Sequence, residues 1–460
     1  MKVVVVGGGI AGLAAARRLA LLLPDAEIVL VEMDTRLGGK LLTERTSDGF
    51  LIEGGADSFL SRKPRGVGLC EELGIELVGR RPEHATSFVR RGSELHPLPE
   101  GLTGMIPTNL EALETSALLS PQGKKRLASE VDVPVAAEPG DESIAAFISR
   151  RLGREAYENL VEPLMTGIYG GDGEQLSLQA TFPQLRAFEL EHGSLLRGLE
   201  AQPPTPGRYP TFVAPAAGVG AIVERLVRSL ADRVRFVVGN PAANLREQSG
   251  RFAVELSDRA TLDSNGVVLA VPASAAGPLL DGVDADWLAE EHNEIPEASS
   301  ASVTLAYEER DVRHPLDGYG YVVPFSEGSD VLACTWTSSK WEGRAPAGKV
   351  LIRVFIGRFG PRHVTDDSDR KLLRVARREL RVLGIEARPI LMRIHRWRAG
   401  MPQYVVGHLE RLKIIDAALA EHPGLALAGA AYRGVGVPDC IHSGELAAES
   451  IVHTLAGARQ

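Results

Sequence analysis

The sequence predicts an α/β fold built around a parallel, Rossmann-like sheet. Residues Val3 to Val6 form a β-branched run, short enough for a strand that is buried on both faces, and glycines follow it directly. Good helix formers fill Ala14 to Leu23, and Pro24 and Asp25 then break the helix. A second apolar strand, Ile28 to Val31, comes next. Strand, glycine turn, helix and strand in this order predict a βαβ unit.

The rest of the chain is expected to return to this sheet and to add further units. Residues 86–207 are predicted to be largely helical, and the proline-rich stretch 202–210 ends them. The later predicted elements are a helix at 222–230, strands at 234–238, 252–256 and 266–271 that return to a sheet and bring the chain back to the first domain, several strands within 302–356, a helix at 370–383, a strand at 425–428 and a helix at 444–455.

Composition and charge exclude several classes of protein. Lys plus Arg total 51 against 60 Asp plus Glu, a net charge of -9, which argues against nucleic-acid binding. Cys70, Cys334 and Cys440 are far apart, so neither a metal site nor a disulfide framework is indicated. The chain enters a strand at once without signal-peptide features, and Arg17 and Arg18 interrupt the most apolar N-terminal helix. We expect a cytoplasmic protein, with peripheral membrane contact left open.

Three glycines after the first strand indicate a dinucleotide site. Gly7, Gly9 and Gly12 fit the pattern G-x-G-x-x-G, which allows a tight turn, close approach of a pyrophosphate and close helix packing. The following helix N-terminus would face the phosphates with unpaired amides. Glu32 ends the second strand, where a carboxylate can accept hydrogen bonds from a ribose diol and would repel the extra phosphate of NADP.

A basic, double-glycine segment follows Glu32 and contains Arg36, Gly38, Gly39 and Lys40. It resembles the segment that wraps the diphosphate in FAD-dependent amine oxidases, carotenoid desaturases and protoporphyrinogen oxidases. The resemblance implies FAD rather than NAD as the cofactor.

A second glycine loop lies near the C-terminus, after the strand at 425–428. Its glycines would let the backbone approach a flat ring, and the helix after Pro438 would direct its positive end at a flavin that gains negative charge on reduction. Gly436 and Val437 are therefore predicted contacts of the flavin ring.

Six separated stretches resemble the protoporphyrinogen and coproporphyrinogen oxidase family, especially its Gram-positive bacterial branch. They are GADSFLSRK at 55–63, LMTGIYGGDGEQLS at 164–177, TFPQ at 181–184, ACTW at 333–336, MPQYVVGH at 401–408 and GVGVPDCI at 434–441. The resemblance covers nearly the whole chain and implies an amine oxidase-like flavoprotein. It implies three two-electron oxidations of a porphyrinogen, with dioxygen reoxidising the flavin and hydrogen peroxide released in haem biosynthesis.

The resemblance also implies roles for particular residues. Arg62 and Lys63 correspond to the pocket edge, where cations would bind substrate carboxylates, and Gly167 corresponds to a backbone contact with a pyrrole ring. Ala242 stands where the family often presents valine to the adenine through its backbone. Plant and animal members place a propionate-binding arginine where this chain has Ser87, which favours coproporphyrinogen III, with four propionates, over protoporphyrinogen IX, with two.

We expect a discontinuous FAD-binding domain of residues 1–60, 210–285 and 395–460. A substrate-binding domain would comprise 61–85 and 286–394. A helical subdomain of 86–209 would present an apolar surface to a membrane or to the next enzyme of haem synthesis. Three alternatives stay open: a protoporphyrinogen IX oxidase, an amine oxidase or carotenoid desaturase-like enzyme, and a non-catalytic flavin-binding scaffold. Tyr169, Tyr404 and His408 are interpreted as packing residues, and no proton-transfer residue is assigned.

Overall fold

A computed structural model describes residues 1–136, 140–202, 207–283, 286–360 and 362–457. The strands within these ranges are β1 Lys2–Val6, β2 Glu27–Glu32, β3 Thr43–Arg45, β4 Leu51–Glu53, β5 Phe59–Leu60, β6 Leu77–Gly79, β7 Ser87–Arg91, β8 Glu94–Pro97, β9 Leu102–Thr103, β10 Ile106–Pro107, β11 Phe212–Pro215, β12 Val234–Val238, β13 Ala242–Gln248, β14 Arg251–Leu256, β15 Thr261–Ser264, β16 Gly266–Leu269, β17 Glu297–Glu308, β18 Gly320–Val322, β19 Val331–Trp336, β20 Lys349–Ile356, β21 Leu391–Pro402 and β22 Leu425–Leu427.

The helices are α1 Ile10–Leu22, α2 Pro64–Glu72, α3 Leu110–Glu114, α4 Pro121–Ala128, α5 Ile144–Leu152, α6 Arg154–Ala156, α7 Glu162–Tyr169, α8 Leu178–Thr181, α9 Pro183–His192, α10 Leu195–Glu200, α11 Gly220–Leu230, α12 Ala273–Leu280, α13 Asp286–Asn293, α14 Thr337–Lys340, α15 Asp369–Glu379, α16 His408–Leu419 and α17 Val437–Gly457. A π-helical turn, Tyr157–Val161, joins α6 to α7. None of the helices in the described part of the chain is long and apolar enough to cross a membrane.

A five-stranded parallel sheet in the order β12-β2-β1-β16-β22 forms the centre of the first unit. Val3, Val4 and Val5 are fully buried, because helices and the small β13-β14-β15 sheet cover the two faces. Helices α1 and α17 approach so closely that a Cβ atom on Gly444 would lie 2.1 Å from the carbonyl oxygen of Ala11. The strands of this sheet come from three distant parts of the chain: β1 and β2, then β12 and β16, and finally β22 at one edge.

A second sheet of seven strands, in the order β21-β17-β20-β19-β18-β7-β8, lies beside the first unit. Its pairs are antiparallel except for β18 and β7, which run parallel. Arg353 on β20 donates to the carbonyl oxygen of Gly54 at 2.8 Å, and Trp397 on β21 donates to the same oxygen at 2.9 Å. This sheet is therefore anchored to the segment that follows β4.

The predicted helical region is wrong at its start. Residues 87–91 and 94–97 form a hairpin closed at Gly92, which has φ +58°, and β7 then pairs with β18. The alternation around Phe88 and Val89 is a strand pattern, and its partner lies more than two hundred residues away. From Leu110 to Glu200 the region is helical as predicted.

Two other predicted elements are located more closely by the structure. Residues 252–256 form a strand, as predicted, and it lies in the separate β13-β14-β15 sheet, because the Ser249–Gly250 turn, with φ +53° and +72°, folds β14 back on β13. The last helix begins at Val437, well before the predicted start at Gly444 and in line with the helix expected after Pro438, and Asp439 in its first turn accepts from the Gly436 amide that precedes it. The expected domain boundary at 394/395 falls inside β21, so we propose the same division with β7, β8 and all of β21 assigned to the substrate unit.

Candidate functional site

The glycine turn after β1 is shaped by three glycines with different requirements. Gly7 has φ +106°, and a Cβ atom there would lie 2.3 Å from the carbonyl oxygen of Ala270. A Cβ atom on Gly12 would lie 1.9 Å from the Gly7 carbonyl oxygen. Gly9 differs, because no atom lies within 4 Å of the Cβ position, and its side-chain direction faces open space. The turn is thus closed on the protein side and open on the other.

The N-terminus of α1 points into this open space without a side-chain cap. Gly9 is the N-cap residue and offers no side-chain acceptor to the first amides. Unpaired amides and the helix dipole together favour an anion at this position. These features fit the diphosphate of a dinucleotide.

Glu32 and the segment after it surround the same turn. The Glu32 carboxylate accepts from the Gly8 amide at 2.6 Å and from the Asp34 amide at 2.8 Å. The Gly38 amide donates to the Gly8 carbonyl at 2.8 Å. Because Gly39 (φ +54°) packs against the Gly9 Cα, with its Cβ position 3.3 Å away, the double glycine lies directly on the turn.

Two more predicted residues complete this part. Arg36 donates to the Gly39 carbonyl at 2.6 Å and so holds the segment in place. Ala242 begins β13, just after a loop in which Gly239 and Asn240 donate to the backbone of Asp34 and Glu32. The structure therefore brings Ala242 to the same edge of the sheet as Glu32.

Lys40 is exposed, yet the surrounding protein desolvates its ammonium group and lowers its pKa. Electrostatic interactions with Cys440 and Glu297 oppose that shift. Burial raises the pKa of Glu297, against hydrogen bonds from Ser274 and the start of α12, and it raises the pKa of the Cys440 thiol to about 11. Lys40, at the end of the double-glycine segment, thus lies close to Cys440 of the C-terminal loop.

Asp439 organises the C-terminal loop. Its Oδ2 accepts from the Gly436 amide at 3.2 Å, and a Cβ atom on Gly434 would lie 2.6 Å from its Cβ. Lys63 donates to both carboxylate oxygens of Asp439, at 2.7 and 2.6 Å. Lys63, Gly436 and the buried Val437 therefore belong to one cluster, and Lys63 already has a carboxylate partner in the protein.

Tyr404 and His408 support this loop from behind. The Tyr404 hydroxyl donates to the Ala430 carbonyl at 2.6 Å and accepts from the Gly434 amide at 2.8 Å, and its ring stacks on His408 at 4.2 Å. Burial raises the pKa of Tyr404 and lowers the pKa of His408 to about 4. Both side chains thus stay neutral near pH 7, as packing residues do.

Gly167 and Arg62, the remaining predicted substrate residues, are both exposed to solvent. Gly167 is on the exposed face of α7, where a Cβ atom would make only ordinary contact, 3.5 Å from Val322. The helical backbone does not require glycine at this position. The missing side chain leaves open space on the exposed face of the helix. Arg62 is exposed and has no hydrogen bond or ion pair to the described residues.

Sequence reasoning missed the cluster around Asp57. Its carboxylate accepts from Lys340 at 2.8 Å, Trp341 at 3.3 Å and Ser58 at 2.6 Å, and charge from Lys340 holds the pKa of Asp57 well below its usual range although burial opposes this. Asp57 stood inside the GADSFLSRK stretch, but nothing in the sequence pointed to Lys340 as its partner. Within the described residues, no cluster of three or more His, Cys, Asp or Glu could hold a metal ion.

The open glycine turn, the uncapped helix N-terminus and the Glu32 carboxylate beside them have the arrangement of a dinucleotide-dependent oxidoreductase. The family model of flavin containing amine oxidoreductases matches residues 10–452. The chain belongs to this family, and the predicted FAD cofactor and amine oxidase-like fold are confirmed.

Within the family the chain is similar to coproporphyrinogen III oxidases of Gram-positive bacteria. It is 35% identical to that of Bacillus subtilis over 97% of this chain and 96% of the relative, and 32% identical to that of Staphylococcus aureus over 99% of each. A crystal structure named for protoporphyrinogen oxidase, from Exiguobacterium sp. 255-15, matches with a TM-score of 0.88, 33% identity and 98% coverage of both chains. Putrescine oxidase, at 17% identity and a TM-score of 0.69, shares the fold. The predicted resemblance is confirmed.

Proposed function

We propose that this protein oxidises coproporphyrinogen III to coproporphyrin III in haem biosynthesis. The observation that carries the proposal is its full-length similarity to coproporphyrinogen III oxidases, combined with the flavin site built by the glycine turn and the C-terminal loop. The reaction removes six electrons and six protons from the substrate in three two-electron steps. Three molecules of dioxygen accept them and leave as hydrogen peroxide.

The chain would hold FAD with the residues that surround the open turn. Gly7, Gly9, Gly12 and the α1 N-terminus would bind the diphosphate, and Glu32 would accept hydrogen bonds from the ribose diol. The remaining proposed contacts are Arg36, Gly38, Gly39 and Lys40 beside the diphosphate, the backbone of Ala242 at the adenine, and Gly436 and Val437 at the ring. When bound, the flavin supplies the two-electron acceptor that amino-acid side chains lack.

The substrate would lie against the accessible face of α7. Gly167 leaves room there for a flat pyrrole ring, and Arg62 and Lys63 would offer cations to the propionates. Lys63 would have to exchange Asp439 for a substrate carboxylate, whereas Arg62 is free to bind. The buried Tyr404 and His408 keep the ring loop in place and are assigned no proton transfer.

A test compares the two porphyrinogens with purified holoenzyme. Porphyrin fluorescence reports turnover, and we expect a higher kcat/KM for coproporphyrinogen III than for protoporphyrinogen IX. A preference for protoporphyrinogen IX would favour the second candidate function, which the name of the Exiguobacterium structure supports. Anaerobic mixing should bleach the flavin band, and a band unchanged by both porphyrinogens would indicate a non-catalytic scaffold. Turnover of an amine or a polyene instead would indicate the other oxidase classes.

We propose a cytoplasmic location, with product transferred directly to the next enzyme of haem synthesis or released at a membrane surface. The support is modest apolar exposure on the helical region: Ile168 is 47% and Leu190 51% exposed. A pull-down with the next enzyme and a vesicle flotation assay distinguish the two destinations.

A further inference from the structure

Arg80 is a cation held between two aromatic rings. Its guanidinium carbon lies 4.8 Å from the ring centre of Phe212 and 4.5 Å from that of Tyr319. Stacking of this kind fixes the guanidinium plane and leaves its N–H groups at the edge for a planar acceptor. The side chain is half-buried, so the charge is partly removed from water before any ligand arrives.

No carboxylate of the described chain satisfies this cation. Arg80 has no ion pair or hydrogen bond there, whereas its neighbour Arg81 pairs with Glu83 at 2.7 Å. The acid whose charge reaches Arg80 is Asp57, but Lys340, Trp341 and Ser58 already occupy its oxygens. Burial lowers the pKa of Arg80, as expected for a charge without a bonded counter-ion.

Arg80 also lies beside the candidate site. It directly follows β6, in which Gly79 pairs with Val213. Continuing this register by one residue brings Arg80 opposite Phe212, which pairs with Leu60 on the other side of β11. Strand β5 belongs to the segment that ends in Arg62 and Lys63, and Lys63 reaches the C-terminal loop through Asp439. At the start of that segment, a Cβ on Gly55 would lie 2.0 Å from the Lys40 carbonyl oxygen. One short segment therefore links Arg80 to both halves of the flavin site.

We propose that Arg80 is a specificity residue that binds a propionate carboxylate of the porphyrinogen at its edge N–H groups. This inference rests on the proposed function and names one contact of the substrate. A fixed planar fork matches a carboxylate in two parallel hydrogen bonds, which a flexible ammonium group does not.

The test uses holoenzyme variants Arg80→Met, Arg80→Lys and, as the matched control, Arg81→Met. We measure kcat and KM with coproporphyrinogen III, and the Kd of the product coproporphyrin III by quenching of its fluorescence. Arg80→Met should raise KM and Kd about tenfold with kcat within twofold of wild type, as expected for loss of a charge-assisted hydrogen bond. The KM and Kd of Arg80→Lys should lie between those of wild type and Arg80→Met. Arg81→Met should have the wild-type values.

Flavin content of each purified variant reports folding. If Arg80→Met does not retain flavin, Arg80→Lys decides, and wild-type KM and Kd in that variant would refute the role of Arg80. Equal losses in Arg80→Met and Arg81→Met would refute it too, because they would indicate general attraction by positive charge. If the wild type oxidises coproporphyrinogen III and Arg80→Met has the same KM and Kd, the inference alone fails. If the wild type neither oxidises nor binds these tetrapyrroles, the proposed function fails as well.

Discussion

Gly9→Ala should separate cofactor binding from folding. Gly9 has φ -70° and ψ -179°, a conformation that alanine adopts freely, and no atom lies within 4 Å of its Cβ position. The added methyl group therefore costs the flavin-free protein nothing and is expected to stabilise it by about 0.4–1 kcal/mol, because alanine restricts the unfolded chain. The same methyl group would project into the space that we assign to the diphosphate.

The expected loss of FAD affinity follows from overpacking. A methyl group forced into a filled site costs about 1–3 kcal/mol, which corresponds to a Kd raised about 5- to 150-fold. FAD titration followed by flavin fluorescence measures this change, and urea unfolding of flavin-free protein measures stability.

Gly12→Ala is the contrasting variant. Its Cβ would lie 1.9 Å from the Gly7 carbonyl oxygen, so the turn itself must move, at a cost of about 3 kcal/mol in the free energy of unfolding. Wild-type FAD affinity in Gly9→Ala would refute our placement of the diphosphate. A loss of stability in Gly9→Ala as large as that in Gly12→Ala would show that the open space is not there.

Three further predictions follow from the same site. Glu32→Gln should weaken FAD binding about tenfold in the same titration, because hydrogen bonds to a charged acceptor are the stronger ones, and unchanged binding would remove Glu32 from the ribose site. Lys63→Met should lower the free energy of urea unfolding by at most about 1 kcal/mol, because exposed pairs contribute little and 42% of the Lys63 side chain is exposed. It should still raise KM for coproporphyrinogen III severalfold, whereas an unchanged KM would assign Lys63 to Asp439 alone. Burial lowers the pKa of His408 from 6.5 to about 4, so between these pH values the unfolded chain binds the proton first and stability falls as pH falls, by on the order of 3 kcal/mol in total. His408→Gln, which can still donate to the Tyr432 carbonyl, should flatten urea-unfolding stability between pH 7 and 4.5, and an unaltered slope would contradict this assignment.

Local signals predicted the first unit of the fold well. The valine run, the glycine turn and the helix lie within thirty-two consecutive residues, and their periodicity and turn chemistry act over that distance. The sequence could not reveal that Phe88 pairs with Tyr321, because a strand's partner is chosen by tertiary packing rather than by its own residues. For this reason the sequence predicts a helical region where the structure has the hairpin at Gly92.

The same limit applies to the candidate site. One sequence motif contains Gly7, Gly9, Gly12 and Glu32. Its spacing alone was enough to predict that these residues lie together. Lys63 and Asp439 are 376 residues apart and meet only in the folded chain. The sequence shows that a residue is basic, but it does not show whether an acidic residue of the folded protein already neutralises its charge.

That information decides which of Lys63 and Arg80 should bind substrate more strongly. Lys63 contacts both oxygens of Asp439, so a propionate that takes its place exchanges one carboxylate for another, and the net gain is small. Arg80 has no ion pair that must break when a ligand binds. Its charge is already partly desolvated between Phe212 and Tyr319 in the folded protein, so binding does not have to supply that free energy. A carboxylate arriving there therefore contributes most of its interaction energy to binding. Arg80→Met should accordingly raise KM for coproporphyrinogen III more than Lys63→Met does, and the reverse order would mean that the Lys63 and Asp439 pair opens at little cost when substrate binds.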